Sequence, residues 1–121
     1  SYKKAIRILR EFDGVVEQAS EHELANAAAL ADRCGLFVCP QTGVALAALA
    51  KMAARRAIKQ SDNVVVISTA NGLKFADFKI AYHQETIKDM AFYHANRVQA
   101  LPADIQKVND AIKAFASSVI K

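Results

Sequence analysis

No stretch of eighteen or more apolar residues occurs along these 121 residues, so no segment reads as a membrane-spanning helix. Cysteine is scarce. Cys34 and Cys39 stand alone, without a second pair or a suitably spaced histidine, which excludes a zinc site of the usual spacing. His22, His83 and His94 lie far apart and form no recognisable ligand set. Both thiols are expected to be buried or half-buried, in a reducing compartment. The formal charge is +4, yet Arg7, Arg10, Lys51, Arg55, Arg56, Lys59 and Lys113 are scattered along helical segments. No concentrated basic stripe interleaved with aromatics exists, which argues against a nucleic-acid partner. Also missing are a Ser-His-Asp pattern, a phosphate loop of GxxxxGK type and paired carboxylates. No repeat, low-complexity tract or long linker marks a boundary, so residues 1–121 read as one segment. The opening Ser1-Tyr2-Lys3-Lys4 is neither a secretion signal nor an initiator methionine, and reads as the middle of a chain.

What is present is a composition able to build a core, 53% hydrophobic and 23% charged. Its most informative stretch is Asn63-Val64-Val65-Val66-Ile67-Ser68-Thr69-Ala70-Asn71-Gly72-Leu73-Lys74. A run of β-branched residues, apolar on every side, reads as a central strand covered on both faces. It ends in two hydroxyls, a small residue, an amide and a glycine, at the end where open α/β sheets place ligands.

Around that strand the pattern alternates. Tyr2–Phe12 reads as a helix with Ala5, Ile6, Leu9 and Phe12 on one stripe, stopped by Asp13-Gly14. Val15–Ala19 reads as a short strand. Ser20 and Glu23 form a capping box opening a helix that should bury Leu24, Ala27, Ala28, Ala31 and Cys34 and end at Gly35. Leu36–Cys39 reads as a second strand and Pro40–Gly43 as a turn, with Thr42 placed to cap the next helix. That helix opens apolar all round at Val44–Ala50, turns basic from Lys51 and ends before Ser61-Asp62. Beyond Lys74 the pattern weakens. A last helix starts near Leu101-Pro102-Ala103-Asp104 with the stripe Ile105, Val108, Ile112, Phe115 and Val119. Such alternation predicts an α/β fold with parallel strands and helices on both faces. The Pro40–Gly43 and Ser68–Gly72 turns then face one crevice. A helix amino terminus on one side and neutral hydroxyls on the other suit a small molecule, but supply no chemistry alone.

Several blocks, in order and at approximately the same spacing, resemble the carboxy-terminal third of threonine synthases, the plant-like class above all. They are Gly14-Val15-Val16-Glu17, Glu23-Leu24, Gly35-Leu36-Phe37-Val38-Cys39-Pro40-Gln41-Thr42-Gly43-Val44-Ala45-Leu46 and Val64–Phe75. The resemblance implies the fold type II architecture of pyridoxal-phosphate enzymes, these residues being the carboxy-terminal part of its cofactor-binding α/β domain. It implies conversion of O-phospho-L-homoserine and water to L-threonine and phosphate. It further implies a homodimeric enzyme, with the remainder of the same chain as partner, in the cytosol or a plastid. In that family the block after the strand lies beside the pyridine nitrogen. Carried over, Thr69 is the candidate partner of that nitrogen and Ser68 the second choice, with Cys39, Pro40, Thr42, Asn71 and Gly72 forming the site wall.

Two departures matter. Asn71 stands where family members usually have histidine, which keeps cysteate synthase, acting on O-phosphoserine and sulfite, as an alternative. The family's Schiff-base lysine and glycine-rich phosphate cradle have no match here, since Lys74 and Lys79 lack that lysine's context. No catalytic residue is therefore assigned, and these residues alone are expected to be inactive. A stand-alone α/β binding module is the rival reading from another class.

Overall fold

The chain is described by a computed structural model, which covers residues 2–96 and 98–119, without the Val119 side chain. Among the described residues five α-helices follow in order: α1 (Tyr2–Glu11), α2 (Glu21–Arg33), α3 (Pro40–Ala54), α4 (Ala76–His83) and α5 (Ile105–Val119), with a short 3-10 turn (Gly72–Phe75) ahead of α4.

Local signals set the helix ends. The Ser20 hydroxyl accepts from the Glu23 amide at 3.2 Å while Glu23 accepts from the Ser20 amide at 2.8 Å, closing the capping box. Hydrogen bonding to Lys51, then to the Ser20 amide, draws the Glu23 carboxyl down to about 2. At the other end of α2, Gly35 adopts φ 87°, and the Leu36 amide reaches back to the Ala31 carbonyl at 3.0 Å. That reversal satisfies carbonyls the helix would otherwise leave open. Asp13 plays the same part after α1, at φ 50°, with the Gly14 amide on Leu9 O at 2.7 Å.

The core forms around α2. Leu24, Ala25 and Ala29 pack with Tyr82 of α4 and with Ile87, Met90 and Phe92 from the segment beyond it. Ala28 and Ala31 pack with Val38 and Leu46. Alanine along α2 lets α3 approach closely, and the crossing point is Gly43. A Cβ there would stand 2.4 Å from the Leu24 carbonyl oxygen and 3.1 Å from Ala28 Cβ. Gly43→Ala is therefore expected to force α2 and α3 apart and lower stability by about 1–3 kcal/mol, the usual cost of overpacking. Urea unfolding of the variant measures this.

The expected sheet is where sequence and structure part. Among the described residues no strand ladder forms, and the lone bridge pairs Val38 with Asn71 in antiparallel sense. A strand is completed by its neighbours, because its amides and carbonyls bond outward, whereas a helix bonds within itself. Val15–Ala19 instead runs along the polar side of α3, held by Lys51 Nζ on Gln18 O at 2.9 Å and by an Arg55–Glu17 ion pair. The Val64–Ile67 run is not covered on both faces. α3 lines one side through Ala45, Ala48, Leu49 and Met52, while Val65 is 88% exposed.

Three smaller expectations are corrected. Pro40–Gly43 is the first turn of α3 rather than a separate turn, because proline is tolerated where the helix has no amide to bond. Cys34 is exposed, since it lies at the carboxyl end of α2, past the buried stripe. Ala27 is half-buried. The last helix begins at Ile105, and Asp104 Oδ1 accepts from the Gln106 amide at 2.8 Å. Its stripe is open to solvent at Ile105, Ile112 and Phe115.

Candidate functional site

The chain enters α3 through Val38-Cys39 and returns past the same point at Ser68–Gly72. Two backbone bonds hold the passes together: the Gly72 amide on Phe37 O at 2.9 Å and the Cys39 amide on Ala70 O at 3.3 Å. Cys39 is the residue ahead of the first turn of α3. Thr42 does not cap the helix. Starting the helix at Pro40 places Thr42 in its first turn, with the hydroxyl turned inward. There Thr42 Oγ1 lies 3.2 Å from Cys39 Sγ and 3.2 Å from Ser68 Oγ, and Cys39 Sγ lies 3.5 Å from Thr69 Oγ1. The outcome is a continuous chain, Ser68–Thr42–Cys39–Thr69, tying the strand-end hydroxyls to the start of α3.

Beside it opens a cleft of about 460 Å³, lined by Gly35, Leu36, Phe37, Val38, Ser68, Ala70 and Asn71. Cys39, Thr42 and Gly72 are buried behind the wall and Pro40 is half-buried; Ser68 and Asn71 are exposed and line the cleft, whereas Thr69 is exposed but lies outside its lining. Gly72 is required by crowding, since a Cβ would meet Val38 O and Phe37 Cδ1 at 3.0 Å and Lys79 Cε at 3.1 Å. Asn71 Oδ1 is committed to the Leu73 amide at 2.9 Å, capping the 3-10 turn.

The electrostatics of this wall are those of neutral donors. Burial opposes ionisation of the Cys39 thiol. Hydrogen bonds from the Thr42 and Thr69 hydroxyls and the Thr42 and Ala70 amides outweigh it, lowering the thiol to about 7. No carboxylate lines the cleft. Among the described residues, no group of three His, Cys, Asp or Glu side chains could hold a metal ion.

Sequence reasoning missed the support behind the wall. Lys79 is buried and its Nζ donates to Asp32 Oδ2 at 2.5 Å, while Asp32 Oδ1 accepts from the Val38 amide at 3.1 Å. The same ammonium stands 5.1 Å over the Phe37 ring. Asp32 thus joins α2, α4 and the residue ahead of Cys39. The two charges lie 47 positions apart, and only folding brings them together. A committed ammonium also makes Lys79 unsuited to carry a cofactor.

Comparison with known proteins gives these residues a setting. The chain is 45% identical over 118 residues to threonine synthase 2, chloroplastic, of Arabidopsis thaliana, covering 98% of this chain and 23% of that protein. It is 28% identical over 119 residues to threonine synthase of Bacillus sp. (strain ULM1), covering 98% of this chain and 31% of that protein. The chain thus spans less than a third of the length of these relatives. The sequence model of the pyridoxal-phosphate dependent enzymes matches residues 1–70, from α1 through the buried thiol and α3 to the strand-end hydroxyls. With well over half its length inside that match, the chain belongs to the pyridoxal-phosphate dependent enzyme family.

Proposed function

We propose that these residues form one wall of the cofactor and substrate site of a threonine synthase, a pyridoxal-phosphate dependent lyase that releases L-threonine and phosphate from O-phospho-L-homoserine and water. The observation that carries this reading is the meeting of Ser68 and Thr69 with the first turn of α3 beside a carboxylate-free cleft. Such a wall fits one edge of the cofactor. A neutral hydroxyl bonds a ring nitrogen without imposing full charge on it, which tunes the electron sink the cofactor supplies when bound. Thr69, exposed between the cleft-lining Ser68 and Ala70, is proposed to face that nitrogen, with Ser68 as the second choice. Gly72 lets the 70–72 backbone stand close behind, and Asn71 borders the substrate space. The first turn of α3 contributes rigidity and shape, through Pro40, Thr42 and Cys39.

The exposed Val64–Ile67 run supports a wider architecture. It is proposed to join a parallel sheet with strands from protein outside these residues, its open side covered there. A homodimer, and residence in a plastid or the cytosol, complete the proposal.

Thr69→Ala in the complete enzyme is expected to alter the cofactor's absorption and lower the rate of threonine formation about tenfold, the worth of one hydrogen bond. An unaltered spectrum and rate would place the nitrogen elsewhere. Offering O-phosphoserine with sulfite in the same assay separates cysteate synthesis, the alternative that Asn71 raises. The 121 residues alone are proposed to be inactive, lacking the lysine that carries the cofactor and the phosphate cradle. Threonine formation by them alone would refute this.

A further inference from the structure

We propose that Asn71 is a specificity-determining residue: its side-chain amide, locked with the oxygen inward, offers the cleft a donor that selects an anionic oxygen of the substrate. The proposal rests on the reading that this cleft takes the amino-acid substrate of a pyridoxal-phosphate dependent enzyme.

Two side chains of the cleft lining carry polar atoms, Ser68 and Asn71, and no lining side chain is charged. Their chemistry differs. The Ser68 hydroxyl lies 3.2 Å from Thr42 Oγ1 and can turn its single hydrogen toward Thr42 or away from it. It therefore meets donors and acceptors alike. Asn71 has no such freedom. The atom 2.9 Å from the Leu73 amide must accept, so it is Oδ1, and the other half of the amide is Nδ2 with two hydrogens. Among the described residues none accepts from Nδ2. What the Asn71 side chain has left for a ligand is donation alone.

The backbone holds that donor in place. Asn71 bridges to Val38, the Gly72 amide is on Phe37 O at 2.9 Å, and the Lys74 amide returns to Asn71 O at 3.3 Å. A side chain fixed by its own capping bond and by both neighbours loses little freedom when a ligand arrives. The strongest partner for such a group is an anionic oxygen, because a charge-assisted hydrogen bond is about twice as strong as a neutral one. An ammonium finds no partner in Nδ2, since it too only donates. An amino acid that also bears a phosphate is thus turned with one oxyanion toward Asn71 and its ammonium away.

The test uses the complete protein reconstituted with pyridoxal 5′-phosphate. Asn71→Asp keeps the shape and the bond to the Leu73 amide, but replaces the two free hydrogens by lone pairs and a charge. Asn71→Ser also keeps a capping oxygen, stays neutral, and lacks the atom that donates. Both should melt with the parent protein. KM for O-phospho-L-homoserine should rise about tenfold in Asn71→Ser, the loss of one hydrogen bond to a charged acceptor, and further in Asn71→Asp, with kcat nearly constant. Calorimetry with inorganic phosphate and with L-threonine shows which oxyanion is held, as the one whose affinity falls in Asn71→Ser. An unchanged KM in Asn71→Ser overturns the proposal even where Asn71→Asp is impaired, because a new charge then acts through its field alone. A raised KM accompanied by a lowered melting temperature in both variants assigns Asn71 to the turn and overturns it too. A parent protein that makes no threonine sinks the proposed function instead. The two anions then decide the donor by themselves: affinities that are absent, or equal in parent and Asn71→Ser, overturn it.

Discussion

Replacing Asn26 with alanine is expected to remove about 3–5 kcal/mol of stability. All four hydrogen-bonding positions of this buried amide are used. Its Nδ2 donates to His22 O and Ala91 O, each at 2.9 Å, and its Oδ1 accepts from Tyr82 Oη at 2.7 Å and the Tyr93 amide at 2.9 Å. Tyr82 Oη in turn accepts from the His94 amide at 3.1 Å. Burial raises the Tyr82 phenol above its ordinary value, so it remains a donor at any physiological pH. Truncating Asn26 leaves Ala91 O, the Tyr93 amide and the Tyr82 hydroxyl without their partner inside the protein. Each such group costs about 1–3 kcal/mol, part of it recovered where water enters. Tyr82→Phe removes one bond and should cost less. The double variant should cost less than the sum of the two, because the residues share one network. Urea unfolding gives the energies, and amide exchange at Tyr93 and His94 should accelerate in both single variants. Additive energies, or unchanged exchange, would mean that the 91–94 segment is held by packing alone.

Lys79→Met is the second large effect, expected at about 3–5 kcal/mol, because it strands the Asp32 carboxylate in a largely buried position. Asp32 lies in the last turn of α2, where the helix dipole already disfavours negative charge, so the ammonium is what makes it tolerable there. Removing both charges, as Asp32→Asn with Lys79→Met, should recover most of the loss. An unpaired charge is costlier than a missing pair. Thermal or urea unfolding of the three variants checks this. A double variant no better than Lys79→Met would show that the stranded charge is not what costs the stability. Since Lys79 Cε also lies against Gly72, the single variant should loosen the 70–72 wall of the cleft as well.

What could be read without coordinates was whatever is decided within a few residues. The Ser20–Glu23 box, the reversal at Gly35 and the stop at Asp13-Gly14 each depend on a side chain or dihedral acting on its own turn, and all three stand where the sequence places them. Burial of Leu24, Ala28 and Ala31 follows from helical spacing. The strand-end hydroxyls and the start of α3 do meet, as two turns at one edge would. The route differs: a local antiparallel bridge between Val38 and Asn71 brings them together rather than a parallel ladder.

Other features needed the third dimension. Apolarity of Val64–Ile67 reports only that burial is favoured; which surface provides it depends on partners distant in sequence. Thr42 has the residue type of a cap. Its hydroxyl bridges sulfur and serine only because α3 begins two residues earlier and the chain returns beside it. Asn26 and Asp32 look like ordinary polar positions on an alanine-rich helix, and nothing nearby in sequence announces Tyr82 or Lys79. Residue order alone thus determined α1 and α2, their ends and the small polar groups at one corner, because those rest on bonds of short range. Tertiary packing alone decided which of those groups touch, which charges are neutralised and which apolar run stays open, because a contact between distant residues has no local cause.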